Sequence, residues 1–239
     1  MELHQFRHSA FCEKVRLILA AKGLDYTVVE VTPGLGQLEL FRLSGQRQVP
    51  VLVDGGAVIS DSTAIALHLE ARHPTPSLQP ADPADRARMW LLEDWADTAL
   101  AAGARLALLQ GAAADPVLRT ALLPERLPGP LRDLVGALPA DALSPVTGAV
   151  SEAIAGRGMQ QLRRNLEQLA LLVSERAHLV GDQLSLADLA VAAQLSLLRF
   201  PASAGAPLAG RGVAGIADNP LLEPVFSWRD RILEAVGRA

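Results

Sequence analysis

Four prolines within ten residues, Pro74, Pro76, Pro80 and Pro83, divide this chain into two stretches of different periodicity. Proline has no amide donor and holds φ near about −65°, so such a run ends a helix and excludes a central strand. Before it, short β-branched runs alternate with helical spacing. The pattern predicts a strand at 3–6, a helix at 11–22 with Gly23 as its cap, and a strand at 26–31. A short helix at 37–43 follows, then two strands around Asp54-Gly55-Gly56, a strong hairpin signal, and a helix at 62–72 stopped by His73-Pro74. After the prolines only helical spacing remains: one long helix at 84–110, then 150–177, 186–199 and 220–237. Residues 111–148 are Gly/Pro-rich and read as a long connection with at most one short helix. The order βαβ–α–ββα and then helices predicts an α/β N-terminal domain over residues 1–74 and an all-α domain over residues 84–239, with a loop insertion around 111–148.

Charge and composition remove several function classes. The net charge is −4; residues 1–80 hold 7 basic and 8 acidic side chains, and the remainder 15 and 18. With no cluster of Lys/Arg to track phosphates, nucleic acid is not an expected partner. The apolar run Leu184–Leu198 is interrupted by Asp188, Gln194 and Ser196, so no membrane span is expected. The beginning Met1-Glu2-Leu3-His4 lacks the basic and apolar regions of a signal peptide, and Cys12 is the sole cysteine, so a reducing cytoplasm is the expected compartment. The five histidines show no ligand spacing, and no metal site is expected.

Three local features carry chemistry. Ser9-Ala10-Phe11-Cys12 lies at a strand-to-helix turn, where a hydroxyl sits beside unpaired amides at the positive end of a helix dipole. Ser9 reads there as a helix cap or as a donor to a bound anion. Gln48-Val49-Pro50 enters a strand; the dipeptide alone fits an ordinary trans strand-start proline, since only about 5–6% of X-Pro bonds are cis. Asp61-Ser62 opens a helix, either as plain capping or as a receptor for an amino-acid head group, with the amides taking its carboxylate and Asp61 its ammonium. Farther on, Ser185 and Asp188 are spaced as a capping box, with Leu184 and Leu189 as its staple, which is a structural role.

In this order and spacing, Ser9 to Arg16, Gln48-Val49-Pro50, Asp61-Ser62 and Leu179 to Asp188 resemble the cytosolic glutathione transferase family. The resemblance covers residues 1–110 and 150–200, and the Ser9–Arg16 segment is most similar to the zeta and omega classes, with serine where omega has cysteine. It implies a thioredoxin-like N-terminal domain, a cis Val49–Pro50 bond, glutathione as co-substrate, and a homodimer. It also implies that the Val49 backbone pairs with the tripeptide as an added strand. Gln48 would meet the glycyl end, and Asp61 and Ser62 the γ-glutamyl end. Gln48 stands where many relatives carry lysine.

Conjugation needs the glutathione thiolate, and a thiol of pKa near about 8.5 is only about 3% ionised at pH 7. Lowering that pKa by ~2 units takes ~2.7 kcal/mol. One hydrogen bond to a charged acceptor gives ~1.5–3 kcal/mol and a helix N-terminus ~0.3–1 kcal/mol or more. A serine hydroxyl therefore suffices. Tyr26, the only tyrosine, falls at the second strand rather than after the first. By resemblance, then, Ser9 is the expected catalytic residue of a detoxifying transferase acting on small hydrophobic electrophiles. Phe6, Arg7, Ala10, Phe11, Leu106 and Leu109 are the expected lining of the electrophile pocket. Cys12 is the alternative. It occupies the second position of a Cys-x-x-Cys whose first residue is Ser9, and it would suit a thiol–disulfide oxidoreductase, peroxidase or isomerase. A catalytically idle glutathione-binding or scaffold protein on the same fold is the third reading.

Overall fold

The computed structural model describes residues 1–32, 34–123, 128–138 and 152–238. Strands β1 (Glu2–Gln5), β2 (Thr27–Glu30), β3 (Val51–Asp54) and β4 (Ala57–Ser60) form one mixed sheet in the order β2-β1-β3-β4. β1 runs parallel to β2 and antiparallel to β3, and β3 pairs antiparallel with β4. The β3–β4 turn is Gly55-Gly56, with φ of 56° and 90°, a pair that side chains with a Cβ rarely adopt. Helices α1 (Ala10–Ala21), α2 (Leu35–Ser44) and α3 (Ser62–Arg72) complete the βαβ–α–ββα order the sequence predicts. This sheet with the all-helical remainder is the thioredoxin-like plus helical architecture expected above.

Two compact units are present, and they do not follow the chain linearly. The first comprises Met1–Ala96, His178–Ala193 and Ile232–Arg238; the second comprises Asp97–Ala177 and Gln194–Arg231. The first includes α4 (Pro83–Trp95), which Asp82 caps by accepting the Asp85 amide at 2.9 Å. Its core sets Leu3, Val15, Ile18, Leu52, Ile65 and Leu69, all fully buried, between the sheet and α1 and α3. The proline-rich stretch is pinned to this unit. Buried Lys22, at the end of α1, donates to the carbonyls of His73 and Pro76, each at 2.8 Å, and pairs with Glu70 at 3.1 Å. Glu70 in turn accepts the Leu78 amide at 2.5 Å.

The expected single helix at 84–110 is interrupted by a π-helical turn at Ala96–Leu100, beyond which α5 runs over Ala101–Ala114. In the second unit α5 packs closely on α8 (Glu152–Glu175). A Cβ on Gly103 would stand 3.1 Å from Leu162 Cδ1, and one on Gly158 would stand 3.0 Å from Leu106 Cδ2. The expected loop at 111–148 holds two short helices, α6 (Pro116–Ala121) and α7 (Gly129–Ala137); residues 124–127 and 139–148 of it lie outside the described residues. Asp115 caps α6 and Pro116 occupies its first turn, a start signal that the surrounding glycines obscure. α9 (Leu186–Leu195) ends four residues before the predicted position 199, in turns leading to an Arg199–Gly212 bridge. A 3-10 turn at Pro220–Leu222 precedes α10 (Glu223–Ala235).

The Ser185–Asp188 pair departs from a simple cap. Asp188 Oδ2 accepts both the amide and the hydroxyl of Ser185 at 2.8 Å, and its Oδ1 reaches the Leu179 amide at 2.7 Å. Burial pushes the Asp188 carboxyl up, against the pull of those three bonds. Among the described residues no helix is long and apolar enough to cross a membrane.

Candidate active site

Strand register decides which residues meet. His4 pairs with Val51 across β1–β3, Val51 with Ser60 across β3–β4, and Gln5 with Glu30 across β1–β2. One residue beyond these pairs, the Phe6–Ser9 turn, Val49-Pro50 and Asp61-Ser62 leave the sheet at the same end. Tyr26 precedes Thr27, which pairs with Glu2, so its backbone belongs to the opposite end.

At the common end, β1 passes into α1 through a tight turn closed by the Ser9 amide on the Phe6 carbonyl at 3.0 Å. Ser9 is the N-cap of α1, and its Oγ accepts the Cys12 amide at 3.3 Å. Used as an acceptor for the helix, the hydroxyl retains its proton for donation. Ser9 is half-buried, whereas Cys12 is fully buried. Burial pushes the Cys12 thiol up, more than hydrogen bonding to Ser9 and the Phe6 backbone and the Arg16 charge draw it down. Both candidate groups share one helical turn, and only the serine reaches the surface.

The turn is held from behind. Glu30 Oε1 accepts the Arg7 amide at 2.7 Å, and its Oε2 accepts Gln5 Nε2 at 3.2 Å. Arg16 Nη1 donates to Gln5 Oε1 at 2.6 Å, Nη2 to the Arg7 carbonyl at 3.0 Å, and Nε to Glu13 Oε2 at 2.6 Å. Phe6 is partly buried, its ring edge-on to His8 with centroids 6.1 Å apart; Arg7 is exposed, Ala10 buried and Phe11 partly buried.

The Val49–Pro50 bond is cis, as the resemblance implies. Val49 packs against Val31, Leu40 and Val51, Pro50 is buried and Gln48 is exposed. Asp61 is the one non-glycine residue at positive φ among those described, at 78°. Such a conformation costs of order 1–3 kcal/mol and persists where its surroundings over-determine it. Here Asp61 Oδ1 caps α3, accepting the amides of Thr63 at 2.9 Å and Ala64 at 3.0 Å. The expected division, amides for a carboxylate and Asp61 for an ammonium, is thus altered, because Asp61 already engages two of those amides. Ser62 is buried.

Beneath Ser62 lies a cluster the sequence reading missed. Lys14 of α1, fully buried, pairs with Glu93 of α4 and donates to Thr63 Oγ1 at 3.1 Å; that hydroxyl donates to Glu93 at 2.5 Å. The available signal was the run Glu13, Lys14 and Arg16 on a helix whose other side is apolar. All three are buried, which charged residues tolerate only when paired. Leu106 and Leu109 belong to the second unit, where Leu106 abuts Gly158 and Leu109 is exposed. Among the described residues no group of three or more His, Cys, Asp or Glu side chains is arranged to hold a metal ion.

Comparison with known proteins points the same way. Residues 3–77 match the N-terminal domain family of glutathione S-transferases. Over 85 residues the chain is 37% identical to glutathione S-transferase Z1 of Arabidopsis thaliana, a match covering 34% of this chain and only 38% of that relative. FtsZ-localized protein A of Caulobacter vibrioides is 28% identical over 202 residues, or 83% of this chain and 77% of the relative. The crystal structure of a glutathione S-transferase from Rhodospirillum rubrum F11 superposes with a TM-score of 0.65 at 25% identity, over 97% of this chain and 87% of that one. Domain match, full-length likeness and the gathering of three motifs at one sheet end agree: residues 3–77 belong to the N-terminal domain family of glutathione S-transferases, and the chain as a whole is similar to proteins of that kind.

Proposed function

We propose that this protein transfers the thiol of glutathione to small hydrophobic electrophiles, with Ser9 donating a hydrogen bond to the bound sulfur. The observation that carries the reading is the contrast within one helical turn: a half-buried serine hydroxyl stands at the N-terminus of α1, above a fully buried thiol whose pKa is raised. The Val49 backbone beside the cis bond pairs with the tripeptide, Gln48 meets its glycyl end, and Asp61 with Ser62 takes the γ-glutamyl end. Asp61 Oδ2 is the oxygen suited to the ammonium, since Oδ1 caps the helix. Phe6, Arg7, Ala10 and Phe11 are proposed as the lining around the sulfur position. A cytoplasmic homodimer is the proposed state, and exposed Leu67 and Leu91 offer apolar surface for it to cover.

The decisive experiment titrates glutathione bound to the protein. Ser9→Ala should raise the bound thiol pKa by about 1–2 units, the equivalent of one hydrogen bond to an anion. Conjugation of a generic aryl halide at neutral pH should fall by at least about tenfold. Cys12→Ala should leave both unchanged; the reverse pattern moves the chemistry to Cys12 and to thiol–disulfide exchange, peroxide reduction or isomerisation. A second reading, a glutathione-binding protein without catalysis, draws support from the relative that matches 83% of this chain and is named for its localisation with FtsZ. Saturable glutathione binding with no conjugation of any electrophile would favour it.

A further inference from the structure

The bonds behind Ser9 form a closed circuit. It runs from the Arg7 amide to Glu30, from Glu30 to Gln5, from Gln5 to Arg16, and from Arg16 back to the Arg7 carbonyl. Both backbone polar groups of Arg7 are thereby fixed, by side chains from β2 and α1, two residues before Ser9. Arg16 and Gln5 are buried, so the circuit is shielded from water, while Glu30 closes it at the exposed edge. The guanidinium is used in three directions at once, toward Glu13, Gln5 and the Arg7 carbonyl. An ammonium has no fixed planar fork and cannot reproduce that geometry.

We propose that Arg16 is a positioning residue for Ser9: by clamping the Arg7 peptide it sets where the Ser9 hydroxyl points, and Glu30 and Gln5 complete the clamp. This rests on the reading that Ser9 holds the glutathione sulfur. Arg16 touches neither glutathione nor electrophile. Its effect is on the direction of one hydrogen bond, and a misplacement of about 1 Å in a reacting group costs on the order of a hundredfold in rate.

The order of donors and acceptors around the circuit supplies the test. In Glu30→Gln one junction must oppose two donors, because Gln5 faces either a second amide NH2 or Arg16 with its own. In the double variant Gln5→Glu/Glu30→Gln every junction again pairs a donor with an acceptor. The full-length protein is compared as wild type, Ser9→Ala, Arg16→Lys, Arg16→Met, Glu30→Gln and the double exchange. Readouts are the bound thiol pKa from thiolate absorbance, the pH–rate profile of conjugation, the KM for glutathione, and hydrogen exchange at the Arg7 amide.

Arg16→Lys and Glu30→Gln should raise the bound thiol pKa by about 1 unit and lower kcat/KM about tenfold at neutral pH, with KM for glutathione within about twofold of wild type. Arg7 amide exchange should quicken in both, and the double exchange should return the pKa and the exchange rate toward wild type. If Ser9→Ala moves the thiol pKa while Arg16→Lys and Glu30→Gln leave it in place, the positioning role is wrong and the Ser9 reading stands. If Ser9→Ala itself leaves the thiol pKa in place, the Ser9 reading falls and the positioning role falls with it. Because Glu30 is at the surface, its variants carry the test even where Arg16→Met does not fold.

Discussion

The buried pair Lys14–Glu93 permits a sharp test of how the sheet unit is held together. Replacing Glu93 by Leu leaves the Lys14 ammonium in a site with no solvent exposure, without the carboxylate that Thr63 also bonds. Breaking a buried pair from one side costs about 3–5 kcal/mol, because the remaining charge keeps its desolvation penalty and loses the carboxylate that offset it. With a urea m-value of about 3 kcal/mol per molar, the unfolding midpoint should drop by about 1–1.7 M. Trp90 and Trp95 flank Glu93 on α4 and are partly buried, so their fluorescence reports this unit. The double variant Lys14→Met/Glu93→Leu removes both charges at similar volume and should recover most of the loss. A single-variant shift below about 0.3 M, near 1 kcal/mol, would refute the claim that the pair is desolvated. A double variant as unstable as the single one would trace the cost to shape rather than charge.

Two further expectations follow from the geometry. Asp61→Asn keeps an oxygen to cap Thr63 and Ala64 and tolerates positive φ, so melting should change little. Glutathione affinity by calorimetry should nevertheless fall about tenfold or more if the carboxylate takes the ammonium; equal losses in both measurements would make Asp61 a cap alone. At the β3–β4 hairpin, the hydrogen bond from His68 at 2.9 Å, with Arg72 nearby, holds the Asp54 carboxyl below the usual range. A depressed folded pKa contributes stability above the unfolded value of about 3.9 that is lost as pH falls through the folded one. Asp54→Asn should therefore lower Tm at neutral pH and converge with wild type as the acid pH falls through the depressed pKa of Asp54. A gap that stays constant across that range would contradict the linkage.

The features legible in the sequence were those whose physics is local. Asp54-Gly55-Gly56 states its turn because two positive φ values need residues of that kind, and Ser9 and Asp61 state helix starts because a side-chain oxygen satisfies amides within three residues. Long-range pairings were not legible. Nothing near Arg16 in the chain indicates that it will bond Gln5 and the Arg7 carbonyl, and Lys14 and Glu93 are 79 residues apart. The π turn at Ala96–Leu100 hides for another reason: one extra residue in an alanine- and leucine-rich helix shifts the buried face without breaking its apolar pattern. At 111–148 the bias was compositional. Glycine density suggested loop, although Asp115-Pro116 is a helix start in its own right.

Burial favours the proposed role of Ser9 over one for Cys12. Both receive the field of the same helix terminus, but a thiolate at Cys12 would lie where no water reaches it, and the resulting desolvation outweighs the hydrogen bonds of Ser9 and the Phe6 backbone and the Arg16 charge. A serine hydroxyl does not titrate in the range where thiols do, so it can stabilise an anion brought to it without itself becoming one. Arg16 is paired with Glu13, and the Glu30 carboxylate also stands behind the turn, so no excess positive charge backs it. On the proposed mechanism the anion is held by a directed dipole and the helix end, so that the orientation of the backbone at Arg7 matters. On this mechanism the alkaline rise of the conjugation rate follows a single ionisation, that of the bound tripeptide. A second ionisation that disappears in Cys12→Ala would show the buried thiol taking part.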